Sequence, residues 1–185
     1  ENEVREISTS TEWKGAFLPK LELSFGIISL IRVEFLLLIR KGSKWLWIPN
    51  LGLLVAMTLA PIAVAHQILL PILWFLQVGR IADIATKEVD HGIHFFTFGS
   101  LRPLTRLLPA QILSVILLLL LLSMPLFIRY TIGGEWLSMV AIISGILFIV
   151  GLALFLGQLS GGRKLYEVLF FMLTYANLNR APEMD

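Results

Sequence analysis

The sequence contains a stretch from Trp45 to Gly79 without a single Asp, Glu, Lys or Arg. A straight helix of this length, rising 1.5 Å per residue, would measure about 52 Å, whereas the hydrocarbon core of a bilayer is about 30 Å thick. Two more apolar runs follow at about 107–128 and 136–158, and 57% of the 185 residues are hydrophobic while only 15% are charged. A water-soluble domain cannot cover so much apolar surface. We therefore predict an all-α fold, a polytopic transmembrane helical bundle.

The uncharged stretch is too long for one straight span, so we predict that it folds back on itself. Three prolines interrupt it, and His66 and Gln67 are its most polar point. Proline breaks or kinks a helix because it lacks an N–H and its ring clashes with the preceding turn. A tight hairpin near residues 61–67 would leave two short spans, about 46–62 and 66–82.

The distribution of basic residues supports the hairpin. With a hairpin, nine Lys and Arg residues lie on one side of the membrane and two on the other, whereas a single span would give six against five. Basic residues concentrate in cytoplasmic loops, so we predict a multi-pass protein with its basic connectors in the cytoplasm. The nine are Arg40, Lys41, Lys44, Arg80, Lys87, Arg102, Arg106, Arg163 and Lys164, and the two are Arg129 and Arg180.

The chain divides into three regions by composition. Residues 1–20 are polar and are predicted to be a linker or tail. Residues 21–44 are apolar with scattered charges and end in a basic cluster before tryptophans, a pattern typical of an interfacial helix. Residues 45–185 form the transmembrane domain, in which 165–178 is a partial span or a re-entrant segment, so we interpret the chain as a fragment of a longer protein. Small residues suited to close helix packing occur in the last full span at Ser144, Gly145, Gly151 and Gly157.

The longest polar island between apolar runs is residues 81–106, which we name the connector. His91 and His94 are three residues apart and would share a helical face with the carboxylates of Glu88 and Asp90, as metal ligands can. A glycine between the two histidines weakens a helix there, so we predict no metal site. The residues alone leave open a plain solvated turn, a metal-dependent intramembrane enzyme and a surface that contacts a partner.

The order of residues in the connector points to the last of these. An acidic cluster and Gly92 are followed by phenylalanines and then by an Arg-Pro element. This order resembles the segment between the first two spans and the third in permeases of the type-2 ABC exporter family, in which an acidic-x-x-Gly-Thr stretch precedes a small-residue, Pro and Arg element. Ile93 stands where that family usually has threonine. The resemblance covers about residues 25–185 and includes an elbow-like helix before the tryptophans and the segment Ser160–Leu169.

The resemblance implies that the connector is a coupling segment contacting a cytosolic ATP-binding subunit, and that a second permease subunit or half completes a transporter in a bacterial inner membrane. The chain has no G-x-x-x-x-G-K-[ST] loop, so ATP hydrolysis is expected on the partner, and the chain itself is predicted to be no enzyme and to hold no cofactor. The net charge of +2 is too small to indicate a nucleic acid partner. Besides the two protein partners, the chain is expected to contact the lipid bilayer. A non-transporting structural membrane subunit is a further alternative, and no substrate site is predicted. The expected contact residues are Glu88, Asp90, Gly92, Phe95, Phe96, Phe98, Arg102 and Pro103.

Overall fold

The computed structural model describes residues 27–41, 44–84 and 103–180, with side chains from 107 to 179 in the last range. All regular secondary structure in this part of the chain is helical, which confirms the all-α class for these residues. Two of the helices have the length and apolar composition needed to cross a membrane. The elements are α1 (Ile27–Arg40), a 3₁₀ turn (Lys44–Leu46), α2 (Trp47–Leu59), α3 (Ile62–Phe75), α4 (Val78–Ile84), α5 (Pro103–Gly133), α6 (Trp136–Ser160) and α7 (Lys164–Arg180).

The uncharged stretch turns back at Ala60 and Pro61, between α2 and α3. Ala60 has an extended backbone, with φ of −69° and ψ of 157°, as expected for a residue before proline. After the turn, α3 runs back beside α2. A hydrogen bond of 2.8 Å from Gln77 Nε2 to Asn50 Oδ1 connects the end of α3 to the beginning of α2. The turn therefore precedes His66 and Gln67, which the sequence pattern placed in it and which lie within α3.

A π-helical segment, Ala65–Leu69, lies in the middle of α3, and Pro71 explains its position. Proline at 71 cannot donate a hydrogen bond to the carbonyl of Gln67 four residues earlier, and its ring pushes that carbonyl aside. The Gln67 carbonyl instead accepts a hydrogen bond of 3.1 Å from Asn177 Nδ2 on α7. A local break in α3 thus becomes a contact between helices.

The two long helices, α5 and α6, are joined and ended by glycines. Gly134 follows α5 with φ of 72°, and Gly161 follows α6 with φ of 60°, both in the left-handed region that glycine adopts without a steric penalty. The Gly161 N–H donates to the Gly157 carbonyl at 2.9 Å, which closes the last turn of α6. The helix α5 continues to Gly133, past the predicted span end at 128.

The middle of the molecule is an apolar core built around Trp74. Its indole is 8% exposed and its Nε1 donates to Ser123 Oγ at 3.2 Å, which ties α3 to α5. On the other side Gly145 of α6 faces the ring so closely that an added Cβ would lie 3.1 Å from Trp74 Cη2. Among the small residues predicted for close packing, Gly145 is therefore in contact with a neighbour, whereas a Cβ at Gly151 would meet no atom within 4 Å.

Large apolar side chains also cover the outer faces of the long helices. Leu137 and Phe148 of α6, and Leu121 and Ile128 of α5, are all more than half exposed. In water this would be a costly surface, whereas lipid tails solvate it without penalty. The exposed apolar faces and the helix lengths agree on a membrane environment.

The last helix, α7, packs against α3. Phe75 and Phe170 are stacked with ring centroids 6.4 Å apart, and Tyr166 stacks on Phe170 at 5.6 Å. The Tyr166 side chain is fully buried. The segment that the sequence pattern interprets as a partial or re-entrant span is thus one continuous helix lying along its neighbour.

Candidate functional site

Most of the predicted contact residues lie outside the described part of the chain. This holds for Glu88, Asp90, Gly92, Phe95, Phe96, Phe98 and Arg102, whereas Pro103 is the first residue of α5. His91 and His94, the ligands of the metal alternative, lie outside it as well. Within residues 27–41, 44–84 and 103–180, no group of three His, Asp or Glu side chains is placed to hold a metal ion.

The described beginning of the connector contains a buried carboxylate, Asp83. It lies in the final 3₁₀ turn of α4 and is 6% exposed. Its Oδ2 forms an ion pair with Lys41, which directly follows α1, and its Oδ1 lies 3.3 Å from Arg163 Nη1 in the turn between α6 and α7. Three segments distant in sequence therefore meet at one carboxylate.

Arg80 lies beside this carboxylate, one helical turn earlier. Its Nε donates to the Lys41 carbonyl at 3.1 Å, its Nη1 donates to Gln77 Oε1, and its guanidinium stacks over the Trp47 ring at 5.0 Å. Gln77 Nε2 in turn donates a hydrogen bond to Asn50 Oδ1, and Asn50 is fully buried in α2. We name Lys41, Asn50, Gln77, Arg80, Asp83 and Arg163 the charged cluster.

The charged cluster contains two buried donors without a partner within the described residues, Asn50 Nδ2 and Arg80 Nη2. Arg80 is only 4% exposed, and its Nη2 has no hydrogen-bond partner within the described residues. A buried guanidinium N–H group without an acceptor costs free energy, on the order of 1–3 kcal/mol.

A cavity of about 340 Å³ opens next to the charged cluster, between α1, α4 and α5. One wall is apolar and the other is charged. The helix α1 contributes Glu34, which is 9% exposed and is its only buried residue, while apolar residues of α1 such as Val33 face outward. The helix contacts α5 here, since Ser114 Oγ lies 3.1 Å from the Ile31 carbonyl and 2.6 Å from the Ala110 carbonyl, which compete for its one proton. The lining residues are Glu34, Leu37, Leu38, Arg40, Lys41, Arg80, Asp83, Ile84, Gln111 and Val115.

Sequence reasoning named several of these residues without joining them. Arg80 is named there only through the charge distribution, and Gln77 is not named. The missing signal is their spacing, since Gln77, Arg80 and Asp83 follow one another at intervals of three and so share one helical face. Their partners on α1 and in the turn after α6 cannot be found from spacing, because they depend on how the helices pack.

The other end of the molecule is held together differently. A rise of 1.5 Å per residue puts Gln111 and Arg129 about 27 Å apart along α5. Arg129 Nη1 donates to the carbonyls of Met57 and Ala60, each at 2.7 Å, and so caps the last turn of α2. Next to it, His66 Nδ1 lies 2.6 Å from the Tyr130 hydroxyl.

Comparison of the chain with protein-family models, with curated proteins and with solved structures found no match in any of the three. The proposed function therefore depends on the residues and contacts described above.

Proposed function

We propose that this chain is a membrane-spanning permease subunit of an ABC transporter that exports its substrate with energy from a separate ATP-binding subunit. In this proposal the helices form a polytopic bundle, α1 is the elbow helix, and the connector receives the movement of the ATP-binding subunit in the cytoplasm. The support is the ordered resemblance of residues 25–185 and one structural observation, the three-way contact at Asp83.

Asp83 carries the proposal because of where it lies. It belongs to the connector, yet it is bound to α1 through Lys41 and to the turn between α6 and α7 through Arg163. Burying a carboxylate costs several kcal/mol unless it is paired, so the buried and paired Asp83 is a candidate functional position. A displacement of the connector would reach both neighbouring segments through charge-assisted contacts, as a coupling element requires.

The arrangement of α2, α3 and α4 fits the proposed membrane topology. The 13 residues of α2 span about 20 Å, less than the hydrocarbon thickness. The axes of α3 and α4 differ by 54°, with the bend at Leu76 and Gln77. We infer a short hairpin that enters from the cytoplasmic side and returns to it, with Lys41, Arg80 and Arg163 at that side.

A test of the proposal measures recovery of an ATP-binding subunit with the purified full-length protein, and its ATP hydrolysis in the complex. We expect Phe96→Asp in the connector to reduce both at least tenfold, because it places a charge in the apolar centre of the contact. Thr97→Asp is the matched control, since it adds the same charge at a neighbouring residue outside the predicted contact set, and it should retain both. Recovery of no ATP-binding subunit with the wild type, or equal activity in both variants, would refute the permease assignment.

A further inference from the structure

We propose that the cavity beside the charged cluster binds the phosphate group of an anionic membrane phospholipid, with the lipid's acyl chains leaving along α1. This inference concerns the cavity alone and does not depend on the ATP-binding partner, so the two proposals can fail separately.

The charges around the cavity favour an anion. Arg40, Lys41 and Arg80 line it together with Glu34 and Asp83, and Lys41 is paired with Asp83. The lining groups therefore carry three positive and two negative formal charges, an excess of one positive charge. A phosphodiester carries one negative charge, and guanidinium groups bind phosphate through charge-assisted hydrogen bonds.

Arg80 supplies the specific donor. Its Nε and Nη1 are used within the charged cluster, and its buried Nη2 has no acceptor within the described residues. A phosphate oxygen in the cavity would satisfy this donor. Because the other two guanidinium nitrogens and Trp47 hold the group in place, little side-chain freedom would be lost on binding.

The apolar wall indicates an amphiphile rather than free phosphate. Leu37, Leu38, Ile84 and Val115 line the same space, and small-molecule pockets of this chemistry measure about 300–1,000 Å³. Leu37 is also 49% exposed on the outer face of α1, next to the exposed Leu36, so the wall continues to the surface of the molecule. A lipid can enter sideways along this wall while its headgroup stays at the depth of the basic residues, where such headgroups bind.

The experiment measures lipid retention by native mass spectrometry on the purified full-length protein, titrated with phosphatidylglycerol or with phosphatidylcholine. We expect the wild type to bind phosphatidylglycerol at least tenfold more tightly than phosphatidylcholine. Arg40→Gln should abolish most of this preference, and Arg40 is exposed, so its loss leaves the core intact. Arg80→Gln should have the same effect or a larger one, and Arg129→Gln, a cation at the other end of α5, should leave the preference unchanged.

Two outcomes would overturn the inference. Equal binding of the two lipids, or an unchanged preference in Arg40→Gln, would show unselective lipid contact. Displacement of phosphatidylglycerol by 10 mM inorganic phosphate would assign the cavity to the free anion and refute the lipid, whereas retention of the lipid in phosphate supports it.

Discussion

The two ends of the described helices use basic residues in opposite ways. At the charged-cluster end, Lys41 and Arg163 reach Asp83 from different segments, and each contact joins two side chains. At the other end, Arg129 binds the carbonyls of Met57 and Ala60, whose positions are fixed by the helix itself. The first arrangement can change partners when one segment moves, whereas the second anchors a turn. We propose that the charged-cluster end transmits movement and that the hairpin end, where α2 turns into α3, gives it a fixed support.

The largest effect is expected at the charged cluster. Asp83→Ala leaves Lys41 and Arg163 without their carboxylate, and we expect a loss of about 2–3 kcal/mol in the free energy of unfolding. Lys41 and Arg163 are partly exposed and regain water, which keeps the loss at this level. This loss is measured by titrating the purified protein with SDS in mixed micelles and recording its unfolding.

The matched control for this substitution is Glu135→Ala, an exposed carboxylate in the turn after α5. It should change the free energy of unfolding by less than about 0.5 kcal/mol. Equal losses in the two variants would mean that the charged cluster has no special role and would remove the contrast between the ends.

In the apolar layer between the two ends, the free energy of unfolding is expected to depend on side-chain volume rather than on charge. Gly145→Leu forces side-chain atoms into the Trp74 ring, and overpacking of this kind costs about 2 kcal/mol. Gly151→Leu, on the same helix with no atom near its Cβ position, should be close to neutral in the same unfolding measurement. If both variants were neutral, the described contact of α6 with α3 at Trp74 would be contradicted.

A smaller effect is expected at the hairpin end. Arg129→Gln removes two hydrogen bonds to the last carbonyls of α2, and we expect a loss of about 1 kcal/mol because these carbonyls can reach other donors near the membrane surface. The exposed Lys164 provides the control, and Lys164→Gln should have little effect on unfolding. A loss above that of Asp83→Ala would reverse the comparison.

The smallest effect is expected at the hydrogen bond between α7 and the π-helical segment. Asn177→Ala frees the Gln67 carbonyl, and interhelical hydrogen bonds in membrane proteins contribute about 0.6 kcal/mol on average. Hydrogen exchange of the amides around Ala65–Leu69 should rise in this variant. No change in exchange would show that the π-helical segment depends on Pro71 alone.

Long apolar runs predicted the two long apolar helices, α5 and α6, because a run without charges has few alternatives to a membrane helix. The predicted spans at 107–128 and 136–158 lie within α5 and α6. The predicted hairpin covers residues 61–67, and the chain reverses at the first of them, Pro61, where backbone geometry decides, while His66 and Gln67 lie within α3. The polar side chain of His66 does not require a turn at that residue, because its Nδ1 lies 2.6 Å from the Tyr130 hydroxyl of α5.

The candidate site was predicted least well. Its residues come from α1, α2, α4 and the turn after α6, and no local pattern shows that Asp83 meets Lys41 and Arg163. Glu34 of α1 is a similar case, because an interfacial helix would turn its charge toward water, whereas this carboxylate is buried against the cavity. Whether Phe96 and its neighbours contact a partner remains a prediction.

The most direct test of the account asks whether the two ends lie on opposite sides of the membrane with the charged cluster in the cytoplasm. These 185 residues contain no cysteine, so single cysteines can be introduced among them at Glu135 and Lys164, both exposed. The account predicts that a membrane-impermeant maleimide labels Glu135→Cys in intact cells and labels Lys164→Cys only after the cells are opened. Labelling of Lys164→Cys in intact cells would contradict it.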